Sequence, residues 1–199
     1  DGFSNKRILV YDMDTGAFKR GWGGHGIPLS EIDNDPTPDY DISGPPPDQK
    51  QFAPALHCVH FSRDGLVYVC ERGSDRVQVF TKQGKFVMQF FVHPSTQSRG
   101  PNCGGPWSLK DPGCGTVYHL ALSQDPEQRY IFIADGTNNT VWIHNRKTGT
   151  LVGSFGGTAT FGSTTLTATG SDDVFVAKVN PNGTFAWATK AGGTGSDLG

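Results

Sequence analysis

Apolar and polar positions alternate along this chain in a unit that occurs twice in full. Residues 52–92 read FAPALHCVHFSRDGLVYVCERGSDRVQVFTKQGKFVMQFFV, and residues 115–156 read GTVYHLALSQDPEQRYIFIADGTNNTVWIHNRKTGTLVGSFG. Each unit holds an apolar strand, a polar turn, a second apolar strand, an acid-bearing corner, a third strand, a Gly turn and a fourth strand. Residues 1–22 match only the second half of the unit. A repeat of about 40 residues with four short strands predicts the four-stranded antiparallel blade of a β-propeller. The expected fold class is therefore all-β, a propeller that is incomplete or completed by other chain segments.

The strands show as runs of β-branched and aromatic residues bounded by Gly, Asp and Asn. They are expected at 8–12 and 17–22 in the partial blade. The first full blade offers HCVHFS, LVYVCE, RVQVF and FVMQFFV, with turns at Arg63-Asp64-Gly65 and Lys82-Gln83-Gly84. The second offers VYHLALS, YIFIAD, TVWIHN and LVGSFG. Two irregular stretches interrupt the pattern. Residues 23–51 are rich in proline and acids, and loops of this length carry function or move. Residues 93–114 hold Gly, Pro and two cysteines. After Gly156 the idiom changes to a charge-poor stretch rich in Thr and Gly, with strands expected at 158–161, 164–169, 173–179 and 184–190 and a turn at Asn182-Gly183. The expected organisation is a partial blade (1–22), a loop (23–51), a blade (52–92), a loop (93–114), a blade (115–156) and a different partial blade (157–199). No segment has helical periodicity.

Composition narrows the function classes. The net charge is −2 and the pI near 6.3, without the clustered Lys and Arg of a nucleic-acid footprint. No apolar run approaches the roughly 18 residues that span a membrane. The sequence opens in mid-blade without a leader, which reads as a mature fragment or a piece of a longer chain. Open blade edges predict a protein partner or self-assembly. Cys58 and Cys70 fall on neighbouring strands. Cross-strand bonds between adjacent strands are awkward, so free buried thiols are expected there. Cys103 and Cys114 flank a loop that a disulfide would close in an oxidising compartment, and both states stay open.

Residues 1–156 resemble NHL repeats. The resemblance is carried by DGLVYVCERGSDRVQVFTKQGKFV (64–87), ADGTNNTVWIHNRKTGTLVGSFG (134–156) and DGFSNKRILVYDMDTGAFKR (1–20). Within that family the chain is similar to bacterial relatives of peptidyl-α-hydroxyglycine α-amidating lyase. Residues 157–199 resemble the bacterial SBBP propeller repeat. The lyase resemblance implies zinc at the propeller mouth on three histidines, each at the start of an inner strand. His57 sits at such a position, and His119 is offset from the next by one residue. It also implies an arginine in the corner after the second strand, matched by Arg72, and a tyrosine where this chain has Phe3. Structural calcium belongs to the same family, and Asp33, Asp35, Asp39 and Asp41 offer oxygen donors for it. The SBBP resemblance implies a secreted, periplasmic or surface-exposed bacterial protein.

The remaining residues have plainer readings. His57 and His60 form H-x-x-H on one strand, so they are expected on opposite faces and unable to share a metal. His25, His93 and His144 are expected to be solvated. Asp1, Glu71 and Asp135, with Arg7 and Arg76, are expected to tie the blade corners through charge-assisted hydrogen bonds. The aromatics Phe61, Tyr68, Phe80, Trp142, Phe155, Phe175 and Trp187 are expected to pack between blades. No nucleophile elbow, phosphate loop or dinucleotide fingerprint occurs. The function expected is a secreted or surface-exposed non-catalytic propeller serving as a binding or structural module, with His57 and Arg72 as ligand-binding residues. The alternative is a zinc-dependent, amidating-lyase-like fragment using His57 for the metal and Arg72 in catalysis.

Overall fold

A computed structural model describes residues 5–33, 35, 37, 42–46, 49–98, 114–156, 158–167, 169, 174–180, 184–192 and 194. Among these the chain is all-β, with fourteen strands and three single-turn 3-10 segments. No helix among the described residues is long and apolar enough to cross a membrane.

The first hairpin pairs β1 (Ile8–Tyr11) with β2 (Phe18–Trp22). The first full repeat forms one antiparallel sheet in chain order: β3 (Leu56–Phe61), β4 (Leu66–Glu71), β5 (Arg76–Thr81) and β6 (Phe86–Phe91). The second repeat does the same with β7 (His119–Leu122), β8 (Tyr130–Asp135), β9 (Thr140–Asn145) and β10 (Leu151–Gly156). These are blades of the propeller type. The third segment does not open a sheet of its own. Its hairpin, β11 (Thr158–Phe161) with β12 (Thr164–Thr167), continues the second blade outward through the pair Gly156 and Thr158. A separate hairpin joins β13 (Val174–Val179) to β14 (Phe185–Ala191). Among the described residues none of these sheets pairs an early strand with a late one.

The near-continuous apolar run of β4 and the almost complete burial of β5 follow from cover on both faces. Successive side chains point to opposite sides of a sheet. Val67 and Val69 therefore pack with Ile8, Trp22, Phe52, Leu56 and Phe80, on the side of the first hairpin. Tyr68 and Cys70 face the other way, joining Val77, Val79, Phe90 and Val92 against Val117, Leu120, Leu122, Ile131 and Ile133 of the second blade. Each fully buried residue of this size contributes about 1.5–3 kcal/mol relative to exposure. Trp22 lies so close to the turn glycine Gly84 that a Cβ there would come within 2.7 Å of the indole.

Several expectations need correction. Cys58 and Cys70 are not free thiols but a disulfide, with Cα atoms 4.9 Å apart. They stand directly opposite each other in the β3–β4 register, and that separation lies inside the range of about 4.4–6.8 Å that the bond requires. Cys114 is also disulfide-bonded, while Cys103 lies outside the described residues. Tyr68 and Phe80 are buried as expected, but Phe61, Phe175 and Trp187 are exposed, at 63%, 36% and 48%. The side chain of Phe155 lies outside the described set. His144 is buried at 3%, because its β9 position turns inward, against Phe90. His25 is partly buried, stacked on Phe86 at 4.3 Å, while His93 is exposed as expected, with one ring face stacked on Trp142 at 4.8 Å.

The corner acids do tie the blades, each differently. Glu71 and Arg76 form a fully buried ion pair at 2.6 Å. Asp135 has Thr140 opposite it instead of an arginine. It therefore accepts from the backbone N–H groups of Thr137 and Asn138 and from Trp142 Nε1. The Arg76 guanidinium also donates to the carbonyls of Gln49 and Gln51. His25 N–H donates to Gln78 Oε1. The long loop is thus strapped to the first blade at both ends.

Candidate functional site

The site forms where the corner after β4 meets the entry to β7. The corner is a single 3-10 turn, Arg72–Ser74, closed by Asp75 at φ 50°. Asp75 is fully buried. Its carboxylate accepts from Thr116 N–H at 2.8 Å, and its carbonyl accepts from Val92 N–H at 2.7 Å. The Thr116 hydroxyl donates to Val92 O at 2.6 Å. This buried knot clamps residues 115–118 of the second blade onto the corner of the first.

Gly115 makes the clamp close. It sits at φ +84°, and a Cβ there would lie 2.2 Å from the Arg72 carbonyl oxygen and 2.7 Å from Arg72 Cγ. Only glycine combines that backbone conformation with that approach. The Arg72 stem passes over Gly115, and its guanidinium carbon lies 5.1 Å from the centroid of the Tyr118 ring. The His57 ring meets the same ring edge to face at 5.4 Å. Gly136 flanks Tyr118, with a would-be Cβ 3.1 Å from it. The Tyr118 hydroxyl shares a 3.4 Å contact with Thr137 Oγ1, which donates to Gly115 O. Since His57 and Arg72 both lie against Tyr118, their separation is below the roughly 12 Å that four extended residues span.

The half-buried Arg72 guanidinium has no carboxylate partner among the described residues. Its contact is the π face of Tyr118, an attraction of about 0.5–2 kcal/mol that leaves the donor edge of the guanidinium open. Burial first, and the Arg72 charge second, push the His57 ring below its ordinary pKa of 6.5. His57 is therefore neutral at pH 7. The arrangement can take a small anion or carboxylate, with Arg72 supplying charge, as a planar fork does well.

His57 reaches this place through a β-bulge. The β3–β4 register passes from Leu56 opposite Glu71 to Cys58 opposite Cys70, which leaves His57 as the extra residue. A bulge re-aims the side chain it carries. The expectation that His57 and His60 face opposite ways is therefore corrected: both reach the seam with the second blade, His57 to Tyr118 and His60 to His119. Among the described residues no three His, Cys, Asp or Glu side chains converge on a metal position. In the acidic loop, Lys6 Nζ lies 3.3 Å from Asp33 Oδ1 and donates to Asp35 O at 2.5 Å. An ammonium group thus holds that part of the run. Asp39, Asp41, Asp1 and Phe3 lie outside the described residues.

Tyr118, Gly115 and Asp75 were not singled out by sequence. Tyr118 had a signal: the one-residue offset of His119 from the His57 position puts Tyr118 at the equivalent place.

The fold and site define an all-β chain of propeller-type blades with a cationic corner between two of them. No family model and no curated protein matches the chain. Among solved structures, a protein from Lactobacillus plantarum is similar at 15% identity with a TM-score of 0.43, covering 92% of this chain and 43% of that one. The chain thus spans less than half the length of that neighbour.

Proposed function

We propose that this chain is a secreted or surface-exposed, non-catalytic propeller module whose inter-blade corner binds a carboxylate, such as a peptide C-terminus. The observation that carries this reading is Arg72: a half-buried guanidinium held over Tyr118 and beside neutral His57, with no carboxylate partner among the described residues. Burying a cation without a counter-charge costs free energy that an incoming anion recovers. The exposed outer strands of the third segment supply a surface for a protein partner. The test is calorimetric titration with a short peptide carrying a free C-terminus and with the same peptide amidated. The acid form binds, the amide binds at least about tenfold more weakly, and Arg72→Gln abolishes the difference, since tenfold is 1.4 kcal/mol. Equal binding of the two peptides to the wild type would sink the reading.

A second reading is a zinc-dependent, amidating-lyase-like fragment. His57 at the blade mouth beside an arginine and a tyrosine hydroxyl favours it. Its residues fit only in part, because among the described residues no set of three His, Cys, Asp or Glu side chains converges on a metal position. Zinc-dependent release of an amide from a peptidyl-α-hydroxyglycine, lost in His57→Ala, would establish it in place of the first.

A further inference from the structure

We propose that His60 and His119 form a two-imidazole zinc site that bridges the inner strands of the two blades. His60 lies on β3 and His119 on β7, on sequence-distant strands that the propeller geometry sets side by side. Their Nε2 atoms are 3.4 Å apart and their rings 4.7 Å apart, nearly perpendicular.

That separation selects a geometry. Two nitrogens each about 2.0–2.1 Å from a tetrahedral ion stand about 3.3–3.4 Å apart, whereas a right-angled pair stands about 2.9 Å apart. The observed spacing equals the edge of a tetrahedron, so a tetrahedral zinc ion could be taken up with little movement of either ring. The apo pair holds together through one N–H donated from ring to ring, and zinc would take the place of that proton. Among the described residues neither Nδ1 atom makes a hydrogen bond, so both rings can carry their proton on Nδ1 and turn their Nε2 lone pairs to one ion. His119 is exposed and His60 partly so. The two remaining positions of the ion would therefore face solvent, open to water or to a ligand donor. The ion would add a metal link to a seam already held by apolar packing, by the Asp75–Thr116 clamp and by the Arg146–Asp64 ion pair.

The test is calorimetric titration of zinc chloride at pH 7.5 into the wild type, His60→Ala, His119→Ala and His57→Ala, with a thermal melt of each without metal. One zinc per chain is expected. Its affinity falls by about tenfold or more in His60→Ala and in His119→Ala, since a chelate loses one of two ligands, and is unchanged in His57→Ala. Zinc raises the melting temperature of the wild type and of His57→Ala but not of the other two. Both substituted positions are at the surface, so the metal-free melts match the wild type. The proposal is overturned if the wild type takes up no stoichiometric zinc, if binding survives both His60→Ala and His119→Ala, or if it is lost only in His57→Ala. The last outcome would instead support zinc at the mouth.

Discussion

The Glu71–Arg76 pair offers the sharpest energetic prediction, because both groups are fully buried and every contact is accounted for. Glu71 accepts from Arg76 Nε at 2.6 Å, Arg76 Nη2 at 3.0 Å, Ala53 N–H at 2.6 Å and Gln78 Nε2 at 2.9 Å. Arg76 donates further to Gln89 Oε1 at 2.9 Å and to the carbonyls of Gln49 and Gln51. Replacing Arg76 by Met leaves a buried carboxylate with two remaining donors and no counter-charge. Replacing Glu71 by Gln leaves a buried guanidinium with carbonyls and one side-chain amide. Removing one member of such a pair costs about 3–5 kcal/mol. At about 2–4 °C per kcal/mol for a chain of this size, each single variant should melt about 6–20 °C lower. The double variant Glu71→Gln/Arg76→Met removes both charges. It should be less destabilised than the sum of the singles, with a coupling of about 1–3 kcal/mol. Urea unfolding of all four proteins, followed by circular dichroism, measures this. Additivity within about 0.5 kcal/mol would show that the two charges do not depend on each other, and the account of the corner would be wrong.

Two further outcomes follow from the site and the core. Gly115→Ala should cost about 2–4 kcal/mol, from a left-handed backbone and an overpacked contact with Arg72. It should also weaken carboxylate binding by displacing Arg72, whereas Gly153→Ala, with open space around it, should leave the titration unchanged; equal binding by both variants refutes the role given to Gly115. His144 is neutral in the fold, because burial holds its pKa below 6.5 against the opposing hydrogen bond to Gly149 O. The unfolded chain takes up the proton first as pH falls, so stability should be complete above about pH 7 and decline toward pH 5. His144→Phe should flatten that slope in urea unfolding at several pH values, and an unchanged slope counts against it.

Much of the fold was legible in the sequence because period-two alternation and turn glycines both mark strand ends. The expected strands at 158–161 and 184–190 appear as Thr158–Phe161 and Phe185–Ala191. The pairing of Cys58 with Cys70 was also readable, since both lie six residues from Asp64 in the turn. Their bond was not, because register fixes proximity but not oxidation. His144 was misread because its neighbours, Phe90 and the turn at Gly149, come from separate parts of the chain. The candidate site was half legible. Arg72 and His57 stand out by type and position, but the bulge that aims His57 at Tyr118 leaves no mark in a single sequence. The close approach of Gly115 to Arg72 appears only once two blades are docked.

The bulge also separates the two histidine readings physically. From His57 to His60 the chain advances three residues along β3, or about 10 Å at the rise of an extended strand. Their rings meet different partners, Tyr118 for His57 and His119 for His60. The site of Arg72, His57 and Tyr118 and the His60–His119 pair are neighbouring positions on one seam, since Tyr118 and His119 are adjacent in the chain. A carboxylate at Arg72 and a metal on His60 and His119 would each grip both blades, and each would oppose their separation. Either occupant should therefore raise the stability of the blade pair by mass action, and the two increments should depart from additivity, because Tyr118 and His119 are chain neighbours.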